Sequence, residues 1–389
     1  MIVKNIRIRN WRNFRKAEVD MQDVTYLMGP NASGKSNFLD VFRFLRDIAN
    51  PKGGGLMNAL QLRGGFSKVR CLAARQHPNI SIDIELAEET SGEPRPKWRY
   101  LLEIGQQSRG LFLPQVVKEE VFSYERNELV LSRPDDNDRR DGRLLTQTAL
   151  EQLSMNGRFR EIADFFSDVL YLHLVPQLLK YGNELAVKQL TNDPFGQGFL
   201  EKIARTPEKT RKSRLHRIEG ILKNAIHGFS DLEFAKDASG RPHLQMRYTH
   251  WRSKGGFQSE EDFSDGTLRL IGLMWTLLEN GSLILLEEPE LSLNASIVRK
   301  IPEMIQRARE SRKKGDSGQI FISTHSEALL SSPVIRGQYL IIEPRAKDGE
   351  GSAIKHPTDE DARALAAGLS PAEVMLPKTN VDMGDMGAF

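Results

Sequence analysis

Cysteine is nearly missing from this chain. Cys71 stands alone in 389 residues, which excludes an internal disulfide framework and any cysteine-built zinc site. Long apolar runs are missing too: the run at 283–286 is four residues, far short of the roughly 20 a membrane helix needs. The amino terminus, MIVKNIRIRNWRNF, alternates charged with apolar residues and lacks the apolar core of a secretory signal. No heptad is sustained and no segment repeats, so a long coiled-coil arm is not expected. Nor does one sign of charge dominate: 55 Lys and Arg face 52 Asp and Glu, a balance too even to indicate nucleic-acid binding by itself. These absences leave an ordinary globular composition, 39% hydrophobic and 28% charged, with a cytoplasmic location expected, no membrane partner, and length for two or three domain-sized units.

The segments IVKNIRIRN (2–10) and VTYLMG (24–29) read as strands, the first alternating and the second more buried. ISIDIEL (80–86), WRYLLEIG (98–105) and VVKEEVFSYE (116–125) predict successive antiparallel strands, and RPDDNDRRDGR (133–143) a polar boundary loop. Residues 147–228 read as mostly helical. Two strand candidates follow, DLEFAKD and HLQMRYTHW, then a helix in FSDGTLRLIGLMWTLLEN, the apolar strand in SLILLEEPE, a helix from about 294 to 311, and the strands in QIFISTHS and QYLIIE. Residues beyond about 345 are polar and weakly patterned.

GPNASGKS (29–36) lies between a strand and a helical segment, the context in which G-x-x-x-x-G-K-S carries a mechanism. Gly29 and Gly34 let backbone N–H groups turn inward around phosphates, Lys35 reaches the β/γ oxygens, and the Ser36 hydroxyl ligates Mg²⁺. Asn31, Ala32, Ser33 and Asn37 complete the expected ATP-contacting set. In SLILLEEPE (282–290) a buried strand stops at adjacent carboxylates, Glu287 and Glu288. Such a pair repels and is costly to desolvate unless cations compensate it. Mg²⁺ and the phosphate loop supply that compensation, with Glu287 toward the metal and Glu288 as general base for the attacking water.

Two further segments bear on the class. FSDGTLRL places Ser264, Asp265 and Gly266 at a helix start, which is either a second anion site or an ordinary N-cap. FISTHS ends an apolar strand at His325, which is either a structural histidine or one within reach of a γ-phosphate.

The order GxxxxGKS, SDGT, apolar-EEPE, apolar-STHS resembles the ATP-binding-cassette (ABC) ATPases, in the branch holding RecF, the SMC proteins and the overcoming-lysogenization-defect (OLD) family. IRIRNWRNFRKAEVDMQDVTYLMGPNASGKSNFLD carries the likeness at the amino end; SDGTLRL, LLEEPE and STHSEALL look most like the compact OLD-like group. The resemblance implies an α/β ABC-ATPase head (a P-loop NTPase) with a mixed central sheet, an antiparallel β-subdomain and a helical insertion. It implies a homodimer that sandwiches two ATPs. Lys35 and Ser36 would hold nucleotide and Mg²⁺, Glu288 would be catalytic beside Glu287, and His325 would sense the γ-phosphate. Ser264 and Gly266 would contact the ATP of the other subunit. Arg12, with Asn13, falls where the branch places a nucleotide-contacting arginine, the alternative being a surface residue on an edge strand.

The sequence departs from the family pattern at SDG, more often S-G-G, and at Glu287, where aspartate is usual. The glutamine of the interlobe loop stays open among Gln76, Gln106, Gln107 and Gln115. The basic run 202–217 is either a solvated helix face, a DNA-backbone contact or a docking surface. OLD nucleases carry a Toprim nuclease domain after the head; 64 residues follow His325 here, too few for one. The expected organisation is lobe I at 1–145, a mainly helical insertion at 146–258, lobe II at 259–345 and a terminal segment at 346–389. The expected activity is ATP hydrolysis that switches a separately encoded effector, such as a nuclease, in bacterial anti-phage defence. A RecF-like repair ATPase binding DNA directly is the alternative, with a P-loop kinase behind it.

Overall fold

The computed structural model describes residues 1–74, 78–89, 93–107, 112–173, 175–181, 196, 198–226, 228–248, 256–279, 281–310, 318–344 and 351–379. The chain opens with β1 (Ile2–Trp11) and β2 (Phe14–Asp20), an antiparallel hairpin, then β3 (Val24–Met28) and α1 (Lys35–Ala49). Next come α2 (Leu56–Gln61), α3 (Phe66–Val69), β4 (Ile80–Glu88), β5 (Arg95–Gln106), β6 (Pro114–Ser123) and β7 (Glu128–Arg133). The middle holds α4 (Asp136–Arg140), α5 (Arg160–Ser167), β8 (Leu170–Leu172), α6 (Pro176–Tyr181), α7 (Phe199–Arg205) and α8 (Glu208–Leu222). β9 (Phe229–Lys236), β10 (Pro242–Tyr248) and β11 (Gln258–Ser259) precede α9 (Asp265–Leu277) and β12 (Leu283–Glu287). The last stretch supplies α10 (Ala295–Val298), α11 (Ile301–Glu310), β13 (Gln319–Ser323), α12 (Glu327–Leu330), β14 (Gln338–Glu343), β15 (Ala353–Lys355), α13 (Asp359–Ala366) and α14 (Pro371–Met375).

The central sheet runs β15–β14–β3–β13–β12–β8, parallel throughout except for β15. Strands buried on both faces have no polar face to present, so β3 and β13 are buried along their whole length and β12 up to Glu287, and all three are apolar apart from Thr25, Gln319, Ser323 and Glu287. Their side chains alternate between two cores. Leu27, Leu283, Leu285 and Phe321 pack with Phe38, Phe42 and Leu45 of α1. Tyr26, Met28, Ile284, Leu286 and Ile322 pack with Leu270, Met274 and Trp275 of α9 and Ile305 of α11. A second sheet, β2–β1–β4–β5–β6–β7, is antiparallel throughout, and β9, β10 and β11 form a third. The mixed central sheet and the antiparallel subdomain are as expected.

The structure differs from the sequence reading in five places, the first being the expected loop 133–143, where α4 starts in a capping box of Asp135 with Asp138. β8 adds an edge strand inside the stretch read as mostly helical; three residues are too few to set a period. β2 and β7 extend the antiparallel sheet beyond the strands foreseen. The helix expected from 294 to 311 is two, α10 and α11, with Pro302, which lacks an N–H, at the second position of α11. The weakly patterned tail folds into β15, α13 and α14, and both helices start in capping boxes, Thr358 with Asp361 and Ser370 with Glu373. Part of the HLQMRYTHW candidate, 249–251, lies outside the described residues. Among the described residues no helix is long and apolar enough to cross a membrane.

Candidate functional site

Because β3, β12 and β13 are parallel neighbours, their carboxyl ends open on one edge, where α/β sheets hold ligands. The glycine loop leaves β3 there. Gly29 and Gly34 have φ of 152° and 113°, and neither has room for a side chain. A Cβ on Gly29 would sit 2.4 Å from the Ile342 carbonyl, and one on Gly34 would sit 2.0 Å from Asn13 Nδ2. Lys35 is buried, with its ammonium donating to the Gly29 and Pro30 carbonyls at 2.7 and 3.1 Å. Burial pushes the pKa of that ammonium down, while Glu288, Glu290 and Glu287 pull it back up.

Ser36 donates its hydroxyl to one oxygen of Glu287, and the Tyr171 hydroxyl donates to the other. Arg43 lies over the Tyr171 ring at 4.0 Å. Glu288 follows with φ of 43°, a left-handed conformation that costs a non-glycine residue about 1–2 kcal/mol. Its N–H donates to the Ser323 carbonyl at 3.0 Å, and its carboxylate lies 3.3 Å from His325 Nδ1. Lys35, Ser36, Glu287, Glu288 and His325 are therefore together. A glycine cradle around a buried ammonium fits the phosphates of a nucleotide, and the oxygen-only pair Ser36 and Glu287 fits a hard cation such as Mg²⁺.

The two residues of the β1–β2 turn do different work. Arg12 binds Asp40 of α1 at 2.7 Å. Arg12 lies in the turn that leads into β2, the edge strand of its sheet, with its side chain partly buried against α1. Burial pushes the Asp40 carboxyl up, but Arg63, Arg12 and Arg43 outweigh it and hold the carboxyl below its ordinary value. Asn13 braces the loop from outside: its amide N–H groups donate to the Ser33 carbonyl at 2.8 Å and the Ser352 hydroxyl at 2.6 Å, and its oxygen accepts from Asn37 at 2.8 Å. The Ser352 hydroxyl also donates to the Ser33 carbonyl at 2.6 Å. Asn31 and Ala32 lie exposed in the loop, and Ala32 takes a left-handed φ of 62°.

Ser264 and Gly266 lie apart from this group. Ser264 caps α9, accepting from the Thr267 N–H at 3.1 Å. Asp265 turns away to α6, where Gln177 donates to it at 2.9 Å and Lys180 pairs with it at 3.3 Å. Gly266 passes close to Ser292 and Leu293, and together these residues line a cavity of about 550 Å³ that includes none of residues 29–37, 287, 288 or 325. Gln76 lies outside the described residues; Gln106 ends β5 and Gln115 lies in β6 of the antiparallel sheet. Sequence reasoning missed Asp40 and Tyr171, and it noticed Thr324 only as a strand end in FISTHS and Glu290 only as the third acid of EEPE.

Residues 24–331 match the family described as "AAA domain, putative AbiEii toxin, Type IV TA system". The chain belongs to that family. The chain is also similar to ABC-type ATPases of the RecF and SMC branch, over a short stretch of sequence for RecF and in fold for SMC. It is 28% identical over 90 residues to the DNA replication and repair protein RecF of Streptococcus agalactiae serotype Ia, a match covering 23% of this chain and 24% of that protein. The chain thus matches about a quarter of the length of this curated relative. Its fold is similar to an SMC head bound to the C-winged helix domain of ScpA, with TM-score 0.56 and 12% identity over 93% of this chain and all of that one. An SMC head from Pyrococcus furiosus bound to the C-terminal domain of ScpA gives 0.51 and 11%, covering 94% and 98%. At these identities the SMC likeness speaks for the α/β P-loop ATPase fold alone.

Proposed function

We propose that this AAA-domain protein hydrolyses ATP to ADP and phosphate, and that two copies close around two ATPs to switch a separately encoded effector in anti-phage defence. The observation that carries the reading is the convergence of Lys35, Ser36, Glu287, Glu288 and His325 at the ends of three adjacent parallel strands. In this reading the phosphate loop and Lys35 hold the triphosphate. Ser36 and Glu287 hold Mg²⁺, which when bound neutralises charge on the phosphates. Glu288 takes a proton from the attacking water, and His325, in contact with Glu288, orients against the γ-phosphate. Residues 1–145 and 259–345 make the two lobes of such a head.

Ser264 and Gly266 line a separate cavity, which favours their serving the nucleotide of a second copy. With Lys180 and Gln177 on Asp265, the SDG variant presents a capped helix N-terminus to that triphosphate and not a free carboxylate. Direct DNA binding, as in RecF, is the second reading. Within the basic run 202–217, Lys202 pairs with Glu279, Arg211 lies over Phe234 and Arg214 over Trp275. Those three cations are engaged within the head, which leaves a weaker phosphate-binding surface than the composition suggests.

Ser264→Arg tests the sandwich. It is expected to bind Mg-ATP like the unsubstituted protein, remain one protomer by light scattering with ATP bound, and lose ATPase activity. Loss of the cap costs about 1 kcal/mol, so a melting curve accompanies the measurement. Closure and full hydrolysis in this variant would overturn the trans role. Tyr171→Phe removes one of the two donors that orient Glu287. An approximately tenfold weaker Mg²⁺ dependence of hydrolysis is expected, with nucleotide binding in EDTA unchanged. An unaltered Mg²⁺ titration would remove Tyr171 from the site.

A further inference from the structure

We infer that Glu290 is a positioning residue for hydrolysis: through Thr324 and the His325 backbone it fixes where the His325 ring meets Glu288. This rests on the roles proposed above for Glu288 and His325. Glu290 lies in the turn after β12, beyond Pro289, and is 7% exposed. One of its oxygens accepts from the Thr324 hydroxyl at 2.6 Å and from the His325 N–H at 3.3 Å. Thr324 is held in turn by its N–H on the Leu27 carbonyl at 3.0 Å, and its hydroxyl accepts from the Ser326 N–H at 3.1 Å. The turn after β12 thus meets the end of β13 at one carboxylate, Thr324 ties that end to β3, and the ring of the residue the carboxylate fixes stands 3.3 Å from Glu288.

Stability alone does not account for this acid. Its second oxygen is buried and has no hydrogen-bond partner, and an unsatisfied buried acceptor is destabilising. Burial pushes its carboxyl up, and the Thr324 hydroxyl, its own backbone N–H and the His325 N–H only partly pull it back. A neutral acceptor would suit the fold better. A carboxylate here also adds negative charge opposite Lys35, after that of Glu288. Glu290 belongs with the groups that order the reacting site, in the way outer partners orient the ligands of a metal centre.

Two readouts test this. In protein labelled with ¹⁵N-histidine, the His325 ring signal is picked out from those of the eight histidines by its disappearance in His325→Gln. Glu290→Ala should move that signal and leave the others in place. Its kcat should fall by about 10–100-fold with KM for Mg-ATP nearly constant. Glu290→Gln, which keeps an acceptor for Thr324 and His325, should recover most of that loss. Thr324→Val removes the same hydrogen bond from the other side, and should move the ring signal even if Glu290→Ala folds poorly. An unmoved His325 signal in folded Glu290→Ala or Thr324→Val overturns the inference, as does a glutamine variant no better than alanine. If the unsubstituted protein fails to hydrolyse ATP, the proposed function falls, and the ring signal still decides whether Glu290 sets His325.

Discussion

Glu288→Gln is expected to bind Mg-ATP, to release phosphate about 10²–10⁴-fold more slowly, the range spanned by removing a general base, and to accumulate as a particle of two protomers. Glutamine keeps the length and the oxygen that meets His325 Nδ1, but it has no basic lone pair for the proton of water. It also meets the same left-handed backbone as Glu288, so folding stability should hardly change. Steady-state phosphate release and light scattering with and without Mg-ATP check both halves. Hydrolysis at the unsubstituted rate would remove Glu288 from catalysis. A single protomer with ATP bound would sink the sandwich and revive the P-loop kinase reading.

Lys35→Ala should abolish the switch at its first step. Hydrogen bonds to a charged donor contribute about 1.5–3 kcal/mol each, so losing the ammonium should weaken ATP binding by on the order of 10²-fold. The effect should exceed that of losing an exposed lysine, because Glu287, Glu288 and Glu290 all act on this ammonium and would face the triphosphate without it. Removing a buried cation also removes its desolvation cost, so the melting temperature is expected to hold or rise while affinity collapses. Calorimetric titration with Mg-ATP beside a thermal melt separates the two. Unchanged affinity would mean that the loop backbone alone holds the phosphates.

The parts of this site legible in the sequence are those written locally. The apolar runs that become β3, β12 and β13 announce themselves, and each ends in the loop, acid pair or histidine that reasoning selected. The illegible parts depend on register and packing. Tyr171 faces Glu287 only because β8 aligns Leu172 with Leu286, at the far edge of a sheet whose other strands lie more than a hundred positions away. Asp265 looks misplaced beside a triphosphate until α6, 88 positions earlier, is found holding it. Arg12 is read as a nucleotide contact or a surface residue by its place in the chain, and its guanidinium rests on Asp40. Glu290 could have been suspected from EEPE, but its partner Thr324 lies 34 residues on, at the end of another strand.

The Ser352 hydroxyl and the Ser33 carbonyl are 319 positions apart, and β3 lies between β13 and β14, both made only after residue 318. The ribosome therefore delivers the phosphate loop early and its surroundings late. A nascent chain that has emerged through residue 300 carries the full GPNASGKS sequence but neither flanking strand of β3 nor the serine that braces the loop. The loop therefore gains its full surroundings only after translation has passed Ser352, and nucleotide is not expected to template folding before then.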